Sequence, residues 1–177
     1  MQIILSSAKL MNAVTKMEQN KYTVPLFQNK AESFALELAQ HSIEELKQEL
    51  KCSTSLAQVA KQNFIDFFNQ ENKLPAILAY NGQAYKCLKA HTLTNSDMEF
   101  ANKHLWILSF LYGMLRPHNL IHPYRLEGKI VLNTSNDRSV FDYWKPLLTD
   151  VLIKSVKADD GILLHLATEE YQHIFDW

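Results

Sequence analysis

Short apolar runs alternating with stretches of helical periodicity constrain this chain more than any other feature, because that alternation is the pattern of an α/β fold. Gln2–Leu5, Pro75–Tyr80, Leu105–Phe110 and Gly161–Ala167 are the candidate strands. Between them, Ala31, Phe34, Ala35 and Leu38 recur at helical spacing, and Ser42 with Glu45 forms a capping box that opens a second short helix carrying Ile43, Leu46 and Leu50. Leu56, Val59, Ala60, Asn63, Phe64, Phe67 and Phe68 trace an amphipathic stripe whose default role is packing. Gln83–Lys89 reads as a short helix, and Ser96 with Glu99 forms another capping box before Phe100, Ala101 and His104. Ser139–Lys157 is apolar at helical spacing, with Pro146 placing the start of the helix near Lys145. Thr168 is positioned to cap a further helix with Glu169 and Glu170 in its first turn. The chain shows no internal repeat or linker, so one domain over residues 1–177 is expected.

Charge bears on the choice of partner. Eighteen Lys and Arg against nineteen Asp and Glu give a net charge of −1, so no global field attracts polyanions and any nucleic-acid binding requires a local basic patch. Cys52 and Cys87 lack Cys-x-x-Cys spacing, which fits buried thiols in a reducing compartment better than a disulfide framework or a zinc site. The N-terminus has no basic region, and its apolar run is too short for a signal peptide or a membrane span. A cytoplasmic location with no membrane partner is expected. There is no Gly-x-Ser-x-Gly, no phosphate loop ending in Lys-Ser/Thr and no Gly-x-Gly-x-x-Gly, so no cofactor is assigned.

Function is expected within Leu108–Lys129. Two of the 4 glycines and two of the 5 prolines fall there (Gly113, Gly128, Pro117, Pro123), interleaved with Arg116, Arg125, Tyr112 and Tyr124. Gly and Pro fix backbone shapes that regular elements exclude, while Arg supplies a forked donor matched to phosphate. Lys9 follows the first strand, at the kind of edge where open α/β sheets place ligands. Lys9, Arg116, Tyr124, Arg125 and Glu127 therefore make a candidate anion clamp, the alternative being that the arginines pair with carboxylates to pin an irregular loop. Gly82, ending the second candidate strand, allows a left-handed or closely approached backbone. His118 and His122 have the spacing of a helical metal pair, but Pro117 and Pro123 oppose a regular helix there. Glu170 and His173 form a single Glu-x-x-His step where di-iron bundles need two, so no metal ligands are assigned.

These residues also carry a resemblance. Leu108-Ser-Phe-Leu-Tyr-Gly-Met-Leu-Arg-Pro117, continuing to Pro123-Tyr-Arg-Leu-Glu-Gly128, resembles the signature of the YaaA family of bacterial peroxide stress resistance proteins. Ser6-Ser-Ala-Lys9, Ala76-Ile-Leu-Ala-Tyr-Asn-Gly82, Phe141-Asp-Tyr-Trp144 and Leu166-Ala-Thr-Glu-Glu-Tyr171 are similar to four further blocks of that family, in the same order. Ser7 stands for the family's proline, Asn81 for a lysine found in some members and Glu169 for aspartate. The chain stops at Trp177 where the family continues into a Lys- and Arg-rich segment. The resemblance implies a mixed sheet with flanking helices in a fold of the family's own type. It also implies a cytoplasmic protein that lowers free intracellular iron and binds double-stranded DNA, including through a helix-hairpin-helix-like element. On that basis duplex DNA is the expected partner of Lys9, Arg116, Tyr124, Arg125 and Glu127, with backbone donors at Gly82 and Gly113. The alternative is an enzyme acting on a small phosphorylated or nucleotide-like substrate, with Tyr124 or Glu127 as acid or base. A third reading is direct iron binding by His118, His122, Glu170 and His173, whose histidines lie outside the family blocks. Oligomeric state and any catalytic residue are left open.

Overall fold

The computed structural model describes residues 1–12, 22–69 and 71–177. Among them the strands are β1 (Gln2–Ser6), β2 (Leu74–Pro75), β3 (Leu105–Ser109), β4 (Gly113–Leu115), β5 (Leu120–Ile121), β6 (Val131–Leu132), β7 (Arg138–Ser139) and β8 (Leu163–His165). The α-helices are α1 (Gln28–Leu38), α2 (Ile43–Glu49), α3 (Thr54–Ile65), α4 (Ala76–Ala79), α5 (Gln83–Leu88), α6 (Asn95–His104) and α7 (Val140–Lys157). The main sheet has the order β4-β3-β1-β8, with β1 parallel to both β3 and β8 and β4 antiparallel to β3. The expected α/β class with a mixed sheet is therefore what the chain adopts. β3 is buried along its whole length, as its unbroken apolar run requires of a strand covered on both faces. No helix is long and apolar enough to cross a membrane among the described residues.

The core gathers Ile4 of β1 and Ile107 of β3 with Phe34 and Leu38 of α1, Phe64 of α3, and Trp144 and Leu148 of α7. Trp144 is the largest fully buried side chain, and its indole N–H donates to the Phe110 carbonyl at 2.7 Å, so its polar atom is paired. Gly113 makes the turn from β3 into β4 with φ +73°, and a Cβ there would lie 3.0 Å from both Trp144 and Leu148. Glycine is required at that position twice over, for backbone handedness and for space.

Several local expectations are corrected. Of the second candidate strand, Pro75–Tyr80, only Pro75 lies in a strand, β2, which pairs with β5, and Ala76–Ala79 turn into a short helix. Ala and Leu are good helix formers, and a four-residue apolar run carries no period with which to choose. Thr94 and Asp97, not Ser96 and Glu99, form the capping box of α6, because an aspartate at the third helical position reaches back as a glutamate does. α7 begins at Val140 rather than near Lys145, with Pro146 inside it. The Ser139 cap and the burial of Phe141 and Trp144 in its first turns outweigh the roughly 3 kcal/mol that an interior proline costs. On α3 the buried face is Ala57, Ala60 and Phe64, whereas Leu56 and Val59, and Phe68 in the 3₁₀ turn after it, are exposed; small residues there let the neighbouring helices approach. Cys52 and Cys87 are free thiols as expected, but Cys87 is exposed and Cys52 half-buried, so neither is a core thiol.

Candidate anion-binding site

The parallel strands β1, β3 and β8 all end on the same side of the sheet, and one cavity lies beyond their carboxyl ends. Ser6 ends β1 and Ser7, Ala8 and Lys9 follow it, Phe110 follows β3, and Thr168, Glu170 and Tyr171 follow β8; Tyr124, Arg125, Leu126 and Glu127 close the remaining wall. The chain passes from β1 to β3 on one side and later returns to β8 on the other, so its direction of travel across the sheet reverses at β1. A crevice at the carboxyl ends of strands where the order reverses is where open α/β sheets hold ligands. Its volume is about 200 Å³, below the roughly 300 Å³ at which drug-sized sites begin.

One wall is a set of buried hydroxyls. The Tyr124 hydroxyl shares hydrogen bonds with Ser109 Oγ at 2.7 Å and with the Tyr80 hydroxyl at 2.9 Å. Tyr85 donates to the Ser6 carbonyl at 2.8 Å, the Tyr171 hydroxyl and Ser7 Oγ share a bond at 2.5 Å, and the Thr168 amide donates to Ser6 Oγ at 2.7 Å. Thr168 stands at the N-cap position of the 3₁₀ turn Glu169–Ile174, as its place in the sequence suggests, but its hydroxyl faces Ser6 Oγ and caps no backbone amide. Burial pushes the phenols of Tyr124 and Tyr171, which line the cavity, and of Tyr80 and Tyr85 behind them up from their ordinary pKa, so the cavity meets neutral hydroxyls and no phenolate. Tyr171 also stacks on Phe110 with ring centroids 4.5 Å apart and planes within 3° of parallel.

The other wall is charged. Lys9 Nζ lies 2.9 Å from Glu127 Oε1, and Arg125 Nη2 lies 3.6 Å from the same oxygen. Neither contact has the alignment of a hydrogen bond: Glu127 Oε1 and Arg125 Nε are buried with no hydrogen-bond partner, and the hold on the carboxylate is electrostatic. Lys9 is 61% exposed while Arg125 and Glu127 are 19% and 16% exposed, so the lysine stands at the mouth and the other two inside.

The residues singled out in the sequence divide into two groups. Lys9, Tyr124, Arg125 and Glu127 converge on the cavity. Gly82 supports it from behind: its φ is −86°, and a Cβ there would fall 2.7 Å from Ala8 Cβ, so it is close approach to the loop after β1 that requires glycine. Arg116 lies at the opposite end of the sheet. Its guanidinium donates to the Leu105 carbonyl at 3.1 Å and to Gln2 Oε1 at 3.3 Å, and it stacks over Trp106 with 3.4 Å to the ring centroid. Burial lowers its pKa to about 10, which leaves it a cation committed to partners at the start of β1 and β3. Gly113 is enclosed by Trp144 and Leu148 and takes no part in the cavity. His122 is buried against Phe67 with Nε2 on the Asn69 carbonyl at 2.8 Å, and His118 faces Tyr22, so the two histidines serve separate contacts. No three His, Cys, Asp or Glu side chains come together in a metal-binding group among the described residues.

Sequence reasoning missed Ser109, Phe110, Tyr80, Tyr85 and Tyr171 as parts of the site. Ser109, Phe110 and Tyr171 sit at or just beyond the ends of strand candidates, which was the available signal. Tyr80 and Tyr85 reach the site only through tertiary hydrogen bonds.

Comparison with known sequences fits this arrangement into a family. The profile of the family described as peroxide stress protein YaaA matches residues 1–177. The chain belongs to that family. A UPF0246 protein of Phocaeicola vulgatus is 42% identical over 178 residues, covering 100% of this chain and 70% of the relative. One from Bacteroides fragilis is 40% identical and covered to 69%, and one from Rickettsia felis is 37% identical over 98% of this chain, again covered to 69%. Within this YaaA-family chain, the blocks Ser6–Lys9, Pro123–Gly128 and Leu166–Tyr171, far apart in sequence, meet around a single cavity.

Proposed function

We propose that this chain acts in peroxide stress resistance in the cytoplasm, lowering free iron and protecting DNA from the oxidants that iron and peroxide produce, and that it works through a phosphate-binding site. One observation carries the site: Lys9 and Arg125 face a single cavity at the carboxyl ends of three parallel strands. A mobile ammonium at the mouth and a guanidinium inside are suited to a phosphate, the first as a point charge and the second as a fork. Neutral hydroxyls of Tyr124, Ser7 and Thr168 line the same space and can donate to its remaining oxygens. The small volume favours a phosphorylated or nucleotide-like ligand of which one phosphate is engulfed. Chemistry on such a ligand would use Tyr124 as a proton donor and Glu127 as the carboxylate beside the phosphate.

Duplex DNA is the second reading, favoured by the exposure of Lys9, which could meet a backbone phosphate at the cavity mouth. With Arg116 engaged elsewhere, Lys9 and Arg125 are the two of the three candidate cations that face the cavity. Each neutralised phosphate contributes about −0.9 to the slope of log K against log salt, so these two cations together contribute about −2 to it. Fluorescence anisotropy with a labelled duplex and calorimetry with a nucleoside monophosphate separate the two readings. Both predict that Arg125→Ala abolishes binding, and binding undiminished in Arg125→Ala would overturn the site. Loss of peroxide resistance in cells carrying Arg125→Ala would tie the site to the biological role.

A further inference from the structure

A structural Arg–carboxylate pair ordinarily docks fork to fork, with two parallel hydrogen bonds from the guanidinium edge. Arg125 and Glu127 do not. Only Nη2 faces the carboxylate, at 3.6 Å, while Arg125 Nε is buried and bonded to nothing. The same Glu127 oxygen is also the one that Lys9 approaches, so one carboxylate atom sits between both cations of the cavity without a hydrogen bond to either. An interaction evolved only to pin the loop would use the free Nε–H; a site waiting for an oxyanion would leave it open.

We infer that Glu127 is an internal stand-in for the ligand's phosphate, occupying the ground between Lys9 and Arg125 until a phosphate displaces it. This rests on the phosphate-site reading above and adds to it an internal competitor that sets the affinity threshold. An entering phosphate takes the Nε–Nη2 edge of Arg125 with two oxygens and Lys9 with a third. Glu127 turns aside. Displacing the carboxylate costs every entering anion the same factor in affinity, so it sets a threshold: a phosphate dianion, carrying more charge and more acceptor oxygens, binds tightly enough to pass it, and a singly charged anion with fewer oxygens does not at the same concentration.

The test is calorimetric titration of the full chain with inorganic phosphate, and in parallel with acetate, for wild type and Glu127→Gln. The glutamine keeps the shape and removes the competing charge. Phosphate should bind Glu127→Gln about tenfold more tightly than wild type, the scale expected for removing one close competing charge, and acetate should gain by a similar factor because both ligands displace the same group. Equal or weaker phosphate binding in Glu127→Gln, with wild type binding, would overturn the inference and leave the phosphate site standing. No phosphate binding by either protein would overturn the site itself. If circular dichroism shows Glu127→Gln to be unfolded, wild type decides alone through the Arg125 Nε–H nuclear magnetic resonance signal. That signal should shift on phosphate addition as Nε gains its first acceptor, and a signal unmoved at saturating phosphate would refute the displacement.

Discussion

Ser7 Oγ and the Tyr171 hydroxyl lie 2.5 Å apart, joining the loop after β1 to the turn after β8 across a separation of 164 residues in sequence. The bond closes one side of the cavity, and the Tyr171 ring behind it is stacked on Phe110. The wall thus has an apolar support and a polar tie that can be removed independently.

Tyr171→Phe removes the tie and keeps the stack. Ser7 is only partly buried and can take water instead, so the cost should be that of one ordinary hydrogen bond, about 1 kcal/mol. Urea unfolding should show a lowered midpoint with an unchanged slope. A loss of several kcal/mol would mean that the hydroxyl organises more than this one contact.

Arg116 and Arg125 should separate stability from binding. Arg116→Ala strips the Leu105 carbonyl and Gln2 of a charged donor and uncovers Trp106, which should cost about 1.5–3 kcal/mol in chemical denaturation and leave phosphate affinity unchanged. Arg125→Ala should do the reverse, with binding lost and the unfolding midpoint little altered. Equal loss of affinity in both variants would contradict the placement of Arg116 at the far end of the sheet.

Gly82→Ala should destabilise through space alone. Its φ is an ordinary one for any residue, but the added Cβ would sit 2.7 Å from Ala8 Cβ and push on the loop that carries Lys9. Overpacking of this kind costs about 1–3 kcal/mol. Ala8→Gly introduced together with Gly82→Ala removes the opposing methyl, so the double variant should be more stable in thermal unfolding than Gly82→Ala alone. A double variant no better than the single one would show that the clash is not with Ala8.

Acid should unfold the chain partly through Asp159. Hydrogen bonds from the Met1 amine, then from Gln2 and His104, hold its carboxyl well below the usual carboxylate range. A folded pKa depressed below the unfolded one means that the contribution is complete above the ordinary aspartate value of about 3.9 and is lost as pH falls from there toward the folded value. Asp159→Asn should lower stability at neutral pH and flatten the fall in stability over that acid window, as read from denaturation midpoints measured at a series of pH values. An unchanged acid limb would assign the effect to other carboxylates.

Much of the fold could be read directly from residue order. The buried faces of α1 and α2, the Ser42 capping box and three of the four strand candidates depend on neighbours within one or two turns, and each is found where local pattern puts it. Readings failed where a distant contact overrode a local preference. Pro146 remains inside α7 because Trp144 and Phe141 anchor that helix in the core, and Leu56 and Val59 face outward because Ala57 and Ala60 allow closer packing than larger residues would. The candidate site was half legible: Lys9, Tyr124, Arg125 and Glu127 lie where strand ends and turn residues direct attention, while Tyr80, Tyr85 and Tyr171 join only through hydrogen bonds across the fold.

The two arginines mark the boundary between what each level decides. By itself the sequence determined that this is an α/β chain with an irregular, Arg- and Tyr-bearing stretch after a buried strand, because composition and short-range spacing suffice for that. It could not decide which arginine meets Lys9. That choice belongs to strand direction: β4 runs antiparallel to β3, so the chain leaving it delivers Arg116 to the start of the parallel strands, against Gln2 and Leu105. The chain then returns across the molecule and brings Arg125 to their carboxyl ends, where the loops after β1, β3 and β8 leave room for a ligand. Pairing partners and chain reversal are long-range quantities, and only the folded sheet sets them.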